Sequence, residues 1–192
     1  MLDFIRIACA VPAVKVGDVK KNTEDICAYM EKADAANADL VVFPELALTG
    51  YTCGDLFFQN TLWDAVKNGL KQIAVCSAKY PQMTVVVGLP VRVKAKLYNC
   101  AAVLNRGEVC ALIPKTHLTA AEKRMFAEKT GEERIWLAPE DIGLVASEDF
   151  YAIPLASEQL ITLGDARLPL DAGVGRPLRL GGISQPSRRC RP

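Results

Sequence analysis

The apolar positions of this 192-residue chain change period several times, and each change marks an element. Residues 4–10 (FIRIACA) read as a strand. Past Pro12 and Gly17 the spacing becomes helical. Val19, Ile26, Met30 and Ala33 share one face of a helix over 18–36, with Lys20, Lys21, Glu24, Asp25, Glu31 and Lys32 mostly on the wet side. Asp18 suits the N-cap and Asn37 the exit. Residues 39–43 (DLVVF) form a nearly continuous apolar run, as expected of a strand covered on both faces. After the irregular LALTGYTCGDLFFQN, a second amphipathic helix over 62–79 turns Val66, Leu70 and Ile73 inward. TVVVGLP (84–90), LYNCAAVLN (97–105) and VCALIP (109–114) follow as strands. The last two flank Arg106-Gly107-Glu108, a hairpin signal. This order predicts an α/β layer architecture.

From 116 onward the pattern weakens. Residues 119–130 suggest a helix with few apolar positions, and short strands are expected near 135–138, 150–154 and 159–163. Half of the side chains (51%) are apolar, enough for one soluble domain to bury a real core. The net charge of +1 argues against a general polyanion binder, so no nucleic acid partner is expected. No stretch approaches the roughly 18 uncharged apolar residues of a membrane span. The N-terminus lacks a convincing signal peptide, and a cytoplasmic location is expected. Seven cysteines occur without a CxxC pair, and the single histidine removes the usual Cys/His zinc arrangements. Those in apolar runs such as IACA and VCALIP read as reduced core thiols.

Composition breaks near the end. All 12 lysines lie at or before Lys129 and all 13 aromatic residues at or before Tyr151. Residues 163–192 carry six arginines and two aspartates, a local charge of +4, whereas the first 162 residues sum to −3. The Gly/Pro/Arg/Ser-rich stretch from 169 to 192 has neither strand alternation nor a helical stripe, and is expected to be disordered.

Two strand ends carry the candidate chemistry. Glu45 follows DLVVF and Pro44; Lys115 follows VCALIP. Ligands of open α/β sheets bind at the carboxyl ends of strands, where loops diverge. A carboxylate there can serve as a general base and an ammonium can stabilise an oxyanion. Glu45 alone is equally readable as a surface or helix-capping glutamate, and Lys115 alone reads more often as a solvated loop lysine. His117 reads as a loop histidine beside them. A thiol added to such a pair makes an amide-cleaving site. No GxSxG, GxGxxG or GxxxxGK[ST] motif is present.

VVFPELALTGYTCGDLF and LPVRVKAKLYNCAAVLNRGEVCALIPKTHL together carry a resemblance. They resemble the N-terminal glutaminase domain of glutamine-dependent NAD synthetases, within the carbon–nitrogen hydrolase (nitrilase) superfamily. The resemblance covers residues 3–118 well and is patchy beyond. It implies an α-β-β-α sandwich, here incomplete, with a partial hydrolase domain over 1–168 and a non-homologous tail over 169–192. It implies Glu45 as general base, Lys115 at the oxyanion, and Tyr51 and Phe57 around the glutamine pocket. Cys53 shapes the adjacent loop and is not the nucleophile. The implied reaction releases ammonia from glutamine through a thioester, with no cofactor in this half. ATP and magnesium belong to a synthetase domain that the resemblance implies as a partner, along with a homo-oligomer.

Two departures stand against that pattern. The family continues Pro-Lys-x-x-Leu-Pro-Asn-Tyr-x-Glu-Phe-Tyr-Glu, whereas Lys115-Thr-His-Leu leads to Thr119 and then Glu122–Phe126, with about four residues missing. One of the missing residues is acidic and helps hold the site. The family's Cys-Glu-Asp-Leu-Trp nucleophile strand is replaced by PLDAGVGRPL, and no cysteine lies between Cys110 and Cys190. The arginines beside Cys190 favour its thiolate. Its tail has nothing to hold it within roughly 3.5 Å of a substrate carbonyl. A shifted or truncated reading frame accounts for both the lost strand and the composition break. The alternative reading is a non-catalytic scaffold or inactive fragment of the same family; a general amidase is disfavoured by the Tyr51–Phe57 segment. The disrupted-frame expectation is checked by translating the other frames downstream of codon 168, where Cys-Glu-Asp-Leu-Trp should reappear.

Overall fold

The computed structural model describes residues 4–129, 133–147, 150–163 and 166–171. The chain opens with β1 (Ile7–Cys9), α1 (Val19–Ala35) and β2 (Leu40–Val42). Asp18 caps α1, its Oδ1 accepting from the Lys21 N–H at 3.1 Å. Asn37 leaves the helix in the left-handed region at φ 53°. α2 (Asn60–Ser77) and β3 (Thr84–Val93) complete a second crossover, so β1, β2 and β3 run parallel. β4 (Lys96–Asn105) and β5 (Glu108–Pro114) then pair antiparallel as successive hairpins. Arg106 (φ 53°) and Gly107 (φ 90°) form the tight turn that the sequence signals.

β6 (Ile135–Leu137) and β7 (Ile153–Leu155) extend the sheet to seven strands, ordered β1-β2-β3-β4-β5-β7-β6. β8 (Glu158–Leu163) and β9 (Ala166–Asp171) form a separate antiparallel pair. β9 takes the first three residues of the 169–192 segment, expected to be disordered, into a strand, which corrects that expectation there; the rest of it, 172–192, lies outside the described residues.

Two corrections concern element boundaries. The strand expected to stop at Pro90 continues to Val93, and Lys94 turns it at φ 54°. Pairing with β2 ends at Val86, so the side of β3 facing β2 has no strand partner at Pro90 and tolerates the missing N–H. The helix expected over 119–130 is only a 3-10 turn, Glu122–Arg124. Long-range contacts take the backbone away: Phe126 is buried edge-on against Phe57, and the Ala127 N–H donates to Leu97 O at 2.7 Å.

Helices α1 and α2 cover one face of the sheet. Ile26, Met30, Val66, Leu70 and Ile73 pack there on Val41, Val85, Val87, Leu104 and Leu112. The alternate positions, Leu40, Val86, Val103, Ala111 and Ile113, form a second buried cluster on the opposite face. Both faces of the central strands are therefore apolar and buried, as the unbroken DLVVF run requires. The core reading of the thiols divides: Cys100 on β4 and Cys53 in the loop after β2 are buried, while Cys9 and Cys110 are exposed because strand alternation turns them outward.

Gly88, on β3, meets the chain leaving β2. A Cβ there would lie 2.4 Å from both Pro44 O and Leu46 N, so the turn around Glu45 rests directly on the glycine backbone. Leu46 is buried in the left-handed region at φ 51°. The Gly50 N–H bond to Leu46 O (2.7 Å) and the Leu48 N–H bond to Gly88 O (3.1 Å) hold this strained turn. Backbone cannot move aside as a flexible side chain can, so Gly88→Ala should cost about 3 kcal/mol, read from the shift in urea midpoint.

Candidate active site

β2 and β5 point the same way, because β3 is parallel to β2 and two antiparallel pairings separate β3 from β5. Their carboxyl ends therefore open on one edge of the sheet, with β4 passing between β3 and β5. Pro44 and Lys115 are the first residues free to leave that edge. The Lys115 N–H bonds to Asn99 O on β4 at 2.7 Å, which fixes where the lysine departs.

The Lys115 ammonium lies between two carboxylates. Nζ is 2.9 Å from Glu45 Oε1 and 2.6 Å from Glu122 Oε1. Glu45 keeps 41% of its side chain exposed, whereas Glu122 keeps 1%. The Asn99 side-chain amide, on a residue 3% exposed, also donates to Glu45 Oε1. Glu122 is held from a second direction by a reciprocal pair. Its Oε2 accepts from the Thr119 N–H at 2.7 Å, and its own N–H donates to Thr119 Oγ1 at 3.3 Å.

Burial alone would raise the Glu122 carboxyl. The Lys115 ammonium and the Thr119 N–H and hydroxyl outweigh it and hold the group at about 2. For Lys115, burial favours the neutral amine, but hydrogen bonds to Glu122 and Glu45 overcome that and raise it above the ordinary lysine value. Tyr51 is half-exposed, and partial desolvation followed by the nearby Glu122 and Glu45 charges pushes its phenol up, so it remains a neutral hydrogen-bonding group.

Of the residues singled out in the sequence, Glu45 and Lys115 meet directly, and Tyr51 feels both carboxylates of the cluster. Phe57 is 2% exposed and packs in the core against Phe126, ring centroids 5.0 Å apart. Cys53 is buried with Sγ 3.1 Å from Thr49 O, and burial raises its thiol. His117 is exposed in the following loop. Cys190 lies outside the described residues.

Asn99 and Glu122 were missed as site residues. Asn99 is an amide set inside the apolar part of β4, whose other asparagine, Asn105, ends the strand, and that interior position is the clue the sequence offers. For Glu122 a signal existed: Thr-Ala-Ala-Glu has the spacing of a capping box. The acidic support expected to be lost with the missing residues is supplied by Glu122 itself. Among the described residues no cluster of three His, Cys, Asp or Glu side chains is placed to hold a metal, and no helix is long and apolar enough to cross a membrane.

The depressed Glu122 value fixes a pH dependence. Between its ordinary value of 4.5 and about 2, the unfolded chain binds the proton more readily than the folded one. The stabilisation is complete above that window and disappears as pH falls through it. Its size is on the order of 3 kcal/mol. Glu122→Gln should lower stability at pH 7 and flatten the loss between pH 4.5 and 2, as followed by urea denaturation at each pH.

The family model for carbon-nitrogen hydrolases matches residues 6–163. The glutamine-dependent NAD(+) synthetase of Mycobacterium tuberculosis is 34% identical over 133 residues, covering 67% of this chain and 19% of the relative. That of Xylella fastidiosa is 33% identical over 164 residues, covering 81% and 30%. A solved glutamine-dependent NAD(+) synthetase from Cytophaga hutchinsonii superposes with a TM-score of 0.70 at 26% identity, covering 85% of this chain and 27% of that one. The chain thus spans less than a third of the length of these relatives. Its mixed sheet flanked by helices is that of the nitrilase-type α/β sandwich, and the chain belongs to the carbon–nitrogen hydrolase family, in the part homologous to the N-terminal domain of glutamine-dependent NAD synthetases.

Proposed function

We propose that this chain carries the amide-binding and charge-handling part of a glutamine amidohydrolase site, without a thiol placed to attack. The observation that carries the reading is the Lys115 ammonium shared between Glu45 and Glu122 at the common edge of β2 and β5. In thioester chemistry a carboxylate takes the proton of the attacking thiol, and a cation faces the oxyanion as the carbonyl becomes tetrahedral. Glu45, half-exposed, suits the first role, and Lys115 suits the second. Tyr51, on the loop after Glu45, offers a neutral phenol to the amide. Phe57 supports that loop from the core.

On this reading no thiol among the described residues serves as the attacking group. Among the described cysteines, Cys53 bonds to backbone carbonyls of its own turn, and Cys100 is fully buried with its thiol pushed far up. Ammonia freed at a complete site of this kind would serve an ATP-using synthetase domain that amidates deamido-NAD, and the kinship makes such a domain and a homo-oligomer the partners to seek. The second reading is a non-catalytic scaffold, favoured by the burial of Glu122, which ties the charged cluster to folding.

Glutamine binding and ammonia release separate these readings when measured on the purified chain. The expected result is binding, seen by ligand-observed NMR and lost in Lys115→Ala, with ammonia release no faster than in Glu45→Ala. No binding selects the scaffold. Release above that of Glu45→Ala reveals a nucleophile and overturns the proposal that none is placed.

A further inference from the structure

We propose that Asn99 is a positioning residue that pins Oε1 of Glu45, so that Oε2 is the carboxylate oxygen presented to a bound amide. The inference rests on the reading of this edge as an amide site. Its geometric part stands without that reading.

Oε1 of Glu45 takes both the Asn99 amide and the Lys115 ammonium, and among the described residues Oε2 takes no hydrogen bond. The donors come from neighbouring strands that are themselves locked together. Asn99 lies on β4 opposite Pro90, and its backbone carbonyl accepts the Lys115 N–H. One residue therefore sets the start of the lysine through its main chain and the orientation of the glutamate through its side chain. A glutamate has freely rotating terminal torsions, and its two oxygens are equivalent until something distinguishes them. Asn99 does so from a buried, rigid strand, where a polar side chain without a partner would be costly. The lysine alone would not suffice, because a flexible ammonium can follow a rotating carboxylate and an amide fixed on a strand cannot.

The choice of oxygen has a consequence for ligand selection. An unpaired carboxylate oxygen accepts an N–H donor and repels another carboxylate, so a fixed Oε2 favours glutamine over glutamate. Freeing the carboxylate to swing weakens that discrimination even where the fold persists.

Asn99→Leu and Asn99→Asp test this. Both leave the backbone carbonyl for Lys115, and the second keeps the side-chain shape while replacing the donor. Two measurements are made on the ¹⁵N-labelled chain. In the first, an Asn99 side-chain amide proton is expected downfield of the surface Asn amides, to return in Glu45→Gln and to stay shifted in Glu122→Gln. In the second, the preference for glutamine over glutamate should fall roughly tenfold in both Asn99 variants, as for loss of a hydrogen bond to a charged group, with the folded-state amide spectrum otherwise kept. An Asn99 amide unaffected by Glu45→Gln, or a preference unchanged in both variants, overturns the inference. If neither ligand binds the unsubstituted chain, the amide-site reading fails and so does the ligand-selecting role; the amide proton then still decides whether Asn99 holds Glu45.

Discussion

One ammonium between two carboxylates constrains this chain more than any other contact. Placing Lys115 Nζ within 2.9 Å of Glu45 and 2.6 Å of Glu122 requires the ends of β2 and β5 to share an edge. It also requires the turn after β2 to lie flat on β3, which Gly88 permits by having no side chain. A carboxylate as buried as Glu122 would be expensive unpaired. The fold therefore cannot relax around Lys115 without exposing or protonating Glu122. Charge placement and strand order are in this sense a single requirement.

The two carboxylates are not equivalent partners. Glu122 is enclosed, bonded to Lys115 through one oxygen and to Thr119 through the other, and its charge is offset by the ammonium. Glu45 stands at the open side with 41% of its side chain in water. The cluster carries two negative charges and one positive, and its surplus is spread over a group that a ligand can reach. A neutral, polar ligand with both a carbonyl and an N–H suits such an edge better than an anion does: the carbonyl faces the ammonium and the N–H faces the carboxylate.

Much of this architecture was legible because the apolar pattern has sharp edges. Asp18 and Asn37 bracket α1 as a cap and a left-handed exit should, and Arg106-Gly107 closes its hairpin. Glu45 and Lys115 stand out because each ends an apolar run just after a proline, so a strand end and a charge coincide. What was not legible depends on contacts distant in sequence. Asn99 interrupts a hydrophobic strand, and nothing local says that it faces a residue 54 positions earlier. Of the consecutive Phe57 and Phe58, only the first is buried, a choice made by Phe126 beyond the site. The helix read over 119–130 failed for the same reason: Phe126 and Ala127 are claimed by the core and β4 before a second helical turn can form.

A charged cluster tied so closely to folding does not by itself mark an enzyme. Glu122 and Thr119 would hold Lys115 in place whether or not a substrate ever arrived, since breaking them leaves a buried charge. The feature that folding does not require is the open position of Glu45. A carboxylate serving only as a counter-ion gains most when both oxygens are satisfied, as in Glu122. Glu45 instead has one oxygen held twice, while the other takes no hydrogen bond among the described residues, at the strand edge where the sheet's loops diverge. On the proposed reading that asymmetry makes Glu45 a preorganised acceptor, and it is the physical ground for proposing this edge as a place where an amide binds.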